Sequence, residues 1–325
     1  MDAATSFLTE EMATMLVGSA ISAPSSHNTQ PWVFRVRGCQ IGLIADRTRA
    51  LPVNDPDDRE LTISCACALF NLRVAAAHAG LTATQLGPSG ASDPDCLGRI
   101  ALSRGPGPAA ALAALFDAVA LRRTHRKTFA ARPVEDDALV ALAEAARHEG
   151  TWLHHLDSDA QRRQAAELIA EGDEMQWDDP SWRRELAAWM HPRRHGDGLA
   201  LPGLAVPLAQ AVVRTFDMGH GVGAHDRQLA DASPVLAVLG TPGDGLADWI
   251  AAGQALQRLL LTACLHGLQA SYLNQPIEVA PLRSQLQQLT GRPGFPQLLL
   301  RLGHPESESP AAPRRPLADV IEYLE

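Results

Sequence analysis

The chain has 325 residues, enough for one large domain or two medium ones. Hydrophobic residues make up 46% and charged residues 20%, an ordinary globular composition. The net charge of -9 excludes nucleic-acid binding driven by overall charge, and 5% aromatics leave little for a base-stacking platform.

In chain order, MDAATSFLTEEM lacks the basic-then-apolar order of a signal peptide. Thr9-Glu10-Glu11 opens a predicted helix to about residue 20, with Met12, Met15, Leu16 and Ser19 on one face. A polar loop follows and ends at Pro31. Alternating runs at 32–36 and 41–45, joined by Arg37-Gly38-Cys39-Gln40, predict a hairpin. The connector DRTRALPVNDPD leads into a long helix over about 58–79, stopped by Gly80. Strands are expected at 81–86 and 98–103, and an Ala/Leu helix at 109–121.

The second half repeats this grammar loosely. It predicts a helix near 135–147, an apolar run at 152–156, and helices at 158–172 and 180–190. A strand at 235–239, a long helix at 244–266 and a strand at 297–302 complete it. Between 191 and 232, Pro192, Pro202, Pro207 and scattered glycines break the periodicity, so an irregular segment is expected. A lid or binding loop and a tolerated insertion both fit that segment. Gln, Arg or Gly interrupts the most apolar stretches well before about 18 residues, so no membrane span is expected. Five cysteines without a C-x-x-C pair read as reduced, mostly buried thiols, and a cytoplasmic location is expected.

Four polar clusters carry the chemistry. The first is Pro24-Ser25-Ser26-His27-Asn28-Thr29-Gln30-Pro31-Trp32, which reads as a turn or as a polar cradle for a small molecule. The second holds Arg122, Arg123, Thr124, Arg126 and Lys127. Four cations in six residues repel one another unless an anion neutralises them, and Arg offers bidentate donors suited to phosphate. A solvated patch has the same composition. The third is Pro313-Arg314-Arg315-Pro316, two arginines on an extended backbone. The fourth runs over 271–278 as SYLNQPIE, where the carboxamides of Asn274 and Gln275 both donate and accept, as a heterocycle edge requires.

Other chemistries find no support. The sequence lacks a Walker-type loop, a G-x-G-x-x-G opening a helix and a G-x-S-x-G elbow. His191 and His195 are four apart, but Pro192 and Gly196 break a shared helical face, so no metal site is expected. No residue stands out as an acid or base catalyst. His27 and His125 read as tuning or structural histidines.

Taken together, the four clusters resemble the nitroreductase-like flavoproteins. Residues 24–32 look like their P-S-S-x-N-x-Q-P-W segment, and Arg122-Arg123-Thr124-His125-Arg126 their R-R-S/T-x-R phosphate motif. The 271–278 stretch resembles the loop facing the flavin ring, and Arg314-Arg315-Pro316 the basic clamp. The order of these motifs, the length, Leu51-Pro-Val-Asn-Asp-Pro56 and Ser64-Cys65 are similar to the Acg branch, in which two nitroreductase halves are fused in one chain. His125 departs from the Asn more usual there.

The resemblance implies an α+β fold, with mixed or antiparallel sheets and long central helices. It divides the chain into halves at 1–120 and 121–325, with a lid-like insertion around 191–232. FMN is the implied cofactor and NAD(P)H its reductant. Arg122, Arg123, Arg126, Arg314 and Arg315 are assigned to the phosphate, and Thr124 to the phosphate or ribityl chain. Ser25, Ser26, Asn28 and Gln30 are assigned to the ribityl chain and ring, and Gln275, Pro276 and Ile277 to the ring near N5. The implied activity is ping-pong reduction of nitro or quinone-type acceptors. Two alternatives stand beside it: a lid-covered flavin carrier with little turnover, and a dedicated biosynthetic flavin oxidase or dehydrogenase. The expected partner is a small-molecule substrate, without nucleic acid or membrane, for a monomer or weak homodimer.

Overall fold

The computed structural model describes residues 7–87, 93–105, 110–191, 196–200 and 206–324. Helix α1 (Glu10–Ala20) starts at Thr9, whose side chain accepts from the Met12 N–H at 3.2 Å, and buries Ala13, Leu16, Val17 and Ala20. Strands β1 (Trp32–Arg37) and β2 (Gln40–Ala45) form the hairpin, turning at Gly38. Helix α2 (Arg59–His78) follows; the Asp55 carboxylate accepts from the Leu61 N–H at 2.9 Å in its first turn. Strands β3 (Thr82–Leu86) and β4 (Cys96–Ser103) come next. The helix expected at 109–121 is split into α3 (Ala110–Ala113) and α4 (Phe116–Leu121).

Helix α5 (Asp136–His148), strand β5 (Trp152–His155), α6 (Asp159–Asp178) and α7 (Pro180–Trp189) follow as read, with α6 six residues longer at its end than expected. A two-residue pair, β6 (Met190–His191) and β7 (Leu199–Ala200), leads to α8 (Val206–Thr215) and α9 (Gly219–Asp231). The segment read as irregular is therefore helical over much of its length. Gly219-His-Gly-Val-Gly223 is the first turn of α9, and Gly223 lets that turn lie against the Ala170 carbonyl of α6. Packing of this kind overrides a poor local propensity. Pro192, His195, Pro202 and Gly203 lie outside the described residues.

Strand β8 (Val235–Thr241), α10 (Leu246–Leu265), β9 (Gln269–Tyr272), α11 (Gln275–Glu278), α12 (Ala280–Thr290), β10 (Phe295–Gly303) and β11 (Ile321–Tyr323) complete the fold. Sequence reading missed β9, α11, α12 and β11.

One sheet has the order β11-β1-β2-β4-β3, antiparallel except where β11 runs parallel to β1. The other, β5-β8-β10-β9, is antiparallel throughout. The α+β class with long central helices is thus the one observed. Helices α2 and α10 cross between the sheets, in contact where Gly253 meets the Ile63 carbonyl; a Cβ there would lie 2.3 Å from that oxygen. One apolar core joins Phe34 and Leu43 of the first sheet, Leu69 of α2, Leu256 of α10, and Leu239 and Leu300 of the second sheet. By length and composition α2 alone among the described helices could cross a membrane, but 89% of its most apolar window is buried inside the fold. The five cysteines are unbridged, with Cys65, Cys67 and Cys96 buried.

Candidate active site

A cavity of about 710 Å³ lies where the opening polar loop, the start of α2, the end of α4, α6, α9, α11 and residues 310–314 meet. That size suits a cofactor or a small ligand. The polar loop contributes Ser25, Ser26, His27 and Asn28. Its backbone is unusual: His27 (φ 48°), Asn28 (φ 54°) and Gln30 (φ 50°) are all left-handed without being glycine. Such conformations persist only where surrounding bonds hold them. Here the Gln30 carboxamide donates to the Gly196 carbonyl at 2.7 Å and accepts from the Arg315 N–H at 2.9 Å. The Gly198 N–H donates to the Asn28 carbonyl at 3.2 Å, and Arg49 pairs with Asp197 in the same latch. Ser26 Oγ donates to Glu60 at 2.7 Å, tying the loop to α2.

Arg122 caps the end of α4 and is 6% exposed. Its Nη2 donates to the Ser22 carbonyl at 3.3 Å, whereas Nε and Nη1 have no partner among the described residues. Burial lowers its pKa; the groups that offset this are Tyr272, Cys67 and Cys264, none of them a carboxylate. A buried cation without a counter-anion is costly, and an anion held beside it in the cavity would offset that cost. Arg123 lies beside it, donating to the carbonyls of Ala120 (2.7 Å) and Arg122 (2.9 Å). Thr124 bridges to Ala270 of β9, which fixes this loop on the second sheet. Arg126 lines the cavity from an exposed position.

Of the thirteen residues assigned by resemblance, nine line this cavity: Ser25, Ser26, Asn28, Arg122, Arg123, Thr124, Arg126, Gln275 and Arg314. Gln30, Pro276, Ile277 and Arg315 do not. Gln30 is fully buried beneath the loop it braces. Arg315 points away from the cavity and donates to the carbonyls of Gln30 (3.0 Å), Trp32 (3.3 Å) and Asp319 (2.9 Å). Pro276 and Ile277 are buried in α11, and the Ile277 N–H donates to the Asn274 carbonyl at 2.7 Å. Arg314 faces the cavity, but its Nε and Nη2 donate to the carbonyls of Ile21 (2.6 Å), Ser22 (3.0 Å) and Ala23 (3.1 Å) at the end of α1. His125 lies outside the lining, its ring bonded to Ser309 Oγ (3.0 Å) and the Thr128 carbonyl (2.9 Å).

The sequence reading missed an acidic side to the cavity: Glu60, Asp173, Asp226 and Glu278. Burial, then the neighbouring Glu60, pushes Glu278 well above the usual carboxylate range, and Gln176 Nε2 donates to it at 2.6 Å. Burial and Asp226 raise Asp173 to about 7, and burial with Glu60 raises Asp55 to about 6. Burial lowers His27 to about 4, so its imidazole is neutral at pH 7. One signal was available: Ile169, Asp173, Gln176 and Trp177 recur at helical spacing on the buried face of α6.

The chain is 32% identical over 330 residues to the Mycobacterium tuberculosis protein Rv3131, whose name places it among the NAD(P)H nitroreductases; the match spans 99% of this chain and 94% of that one. The chain belongs to the nitroreductase family. The family expected from residues 24–32, 122–126, 271–278 and 314–316 is the one found. This nitroreductase-family chain is also 31% identical over 321 residues to the protein acg of the same organism, spanning 97% of this chain and 96% of that one. Solved structures similar to it include a nitroreductase with bound FMN from Bacteroides fragilis, at TM-score 0.42 and 14% identity, covering 65% of this chain and 98% of that one. No protein-family model matches the chain.

Proposed function

We propose that this nitroreductase-family chain is an FMN-dependent oxidoreductase that uses NAD(P)H to reduce small conjugated acceptors, such as nitro compounds and quinones, in ping-pong order. The observation that carries the reading is Arg122, a buried guanidinium on the cavity wall whose Nε and Nη1 lack partners among the described residues. That donor set fits a phosphate, which would satisfy both groups and neutralise the charge. Bound FMN supplies hydride chemistry at its ring. Arg122, Arg123 and Arg126 hold the phosphate, with Thr124 beside them, and Arg314 closes that end. Ser25, Ser26 and Asn28 would meet the ribityl side, and Gln275, its Nε2 already bonded to Asp173 and Asp226, would border the ring where the acceptor lies. Gln30 and Arg315 act one step back, by fixing the loop that presents these groups. Trp177, Trp182 and Leu186 give the cavity an apolar wall that limits water.

In this reading the chain is two fused halves, 1–120 and 121–325, working as a monomer or weak homodimer. A second reading, a closed flavin carrier, draws support from α9, whose Val222 and Asp226 line the cavity, and from the latch between 196–198 and the polar loop.

The test is the visible spectrum of protein incubated with FMN, then NADH or NADPH added without oxygen. Bleaching, reversed by a nitroaromatic or quinone, is expected. Retained flavin that neither nicotinamide bleaches favours the carrier. Arg122→Ala is expected to weaken FMN binding by roughly 100-fold, the scale of two lost charged hydrogen bonds. Undiminished affinity in that variant would refute the phosphate assignment.

A further inference from the structure

The cavity that ends in Arg122 has a second pole of opposite character. Asp173 of α6 and Asp226 of α9 both line it, and Gln275 of α11 bridges them, its Nε2 donating to Asp173 Oδ1 at 3.2 Å and to Asp226 Oδ2 at 2.8 Å. This leaves two acceptors without donors. Asp173 is 3% exposed, yet among the described residues its Oδ2 has no hydrogen-bond partner, and neither has Gln275 Oε1. Among the described residues no Lys, Arg or His pairs with Asp173; the side chains that act on it are Asp226 and Gln275.

A buried carboxylate oxygen without a donor, on a residue that lines a cavity, is the counterpart of the Arg122 situation with the sign reversed. Burial and Asp226 leave Asp173 partly protonated at neutral pH, and a cation beside it favours the ionised form. An ionised carboxylate and a carboxamide oxygen accept only, so the complementary group is one rich in N–H. The pair is also held rigidly. At Gly172 a Cβ would lie 2.7 Å from the Gln275 Cβ, so α6 and α11 are in close contact there, and the two bonds from Nε2 hold the carboxamide.

We propose that Asp173 Oδ2 and Gln275 Oε1 form a substrate subsite for a positively charged nitrogen, a primary ammonium or an amidinium, carried on the conjugated acceptor. This inference rests on the reading of the cavity as the active site and adds a substrate class to it. Cationic acceptors are favoured over neutral ones, and carboxylate-bearing acceptors are repelled by Asp173 and Asp226.

The test compares para-nitrobenzylamine, para-nitrobenzyl alcohol and para-nitrobenzoate by calorimetry on FMN-loaded protein at pH 8, where Asp173 is mostly ionised. The amine is expected to bind roughly tenfold more tightly than the alcohol, one charged hydrogen bond's worth, with the benzoate weakest. Asp173→Asn is expected to shrink the amine–alcohol gap below about threefold while leaving the alcohol's affinity in place. Asp226→Asn, which keeps Asp173, is the second variant and is expected to narrow the gap part of the way. Equal binding of amine and alcohol, benzoate binding as tight as amine, or an unchanged gap in folded Asp173→Asn would each overturn the proposal. Protein that takes up no FMN would refute the oxidoreductase reading instead. The amine preference is then read by the same calorimetry on the unloaded chain, so the two failures are separable.

Discussion

Asp173 sits on the buried face of α6, where burial and the Asp226 carboxylate raise its pKa from 3.8 to about 7. The folded state therefore holds a proton that the unfolded chain has released, and this residue's contribution to stability declines as pH rises from about 4 to about 7. Asp173→Asn removes that decline. Its melting temperature is expected to exceed the parent's by several degrees at pH 8 and to converge with it near pH 4. Thermal melts across that range check it; an offset independent of pH would contradict the assignment. The arginine end of the site was legible in sequence because Arg122, Arg123 and Arg126 are contiguous. The acidic end was not, because Asp173, Asp226 and Glu278 meet only through packing of α6, α9 and α11. Arg314 and Arg315 show a subtler limit: on an extended backbone neighbouring side chains point opposite ways, so only one of the two lines the cavity.

At the scale of elements, one carboxylate joins three of them. Asp244, just before α10, accepts from Arg283 of α12 through two bonds (2.7 and 2.8 Å), from Trp249 at 2.9 Å and from Gln297 of β10 at 2.9 Å. Burial alone would raise its pKa, but the bonds from Arg283, Gln297 and Trp249 outweigh it and hold the group at about 2. Its contribution is full above about pH 4 and is lost as pH falls toward 2. Asp244→Asn is expected to cost about 2 kcal/mol at pH 7 and much less near pH 2, measured by denaturant unfolding at both. Periodicity revealed α1, α2, α5 and α10 because each has an apolar pattern that packing reinforces. It failed for α9, whose glycines read as a break in isolation yet permit close contact with α6. It also failed for β9 and β11, which are too short for alternation to register.

Across the whole molecule, the two sheets share one core through α2 and α10, and β11 brings residues 321–323 back to the edge of β1. The Phe34 N–H donates to the Val320 carbonyl at 2.7 Å, and Arg35 pairs with Glu322 at 2.8 Å across 287 positions of sequence. A chain lacking 320–325 is expected to melt at least about 5 °C lower and to exchange its Phe34 amide far faster. Unchanged protection of that amide would show the pairing to be dispensable. The same long return sets a timetable for synthesis. While the polypeptide is still emerging from the ribosome, the outer edge of β1 stands bare, and the cavity wall at 310–314 has not been made. For most of translation the nascent chain thus carries an uncovered strand edge, the kind that chaperones shield, and an unfinished pocket. The pocket can close around a cofactor only once residues 310–314 have been made and folded back against the polar loop.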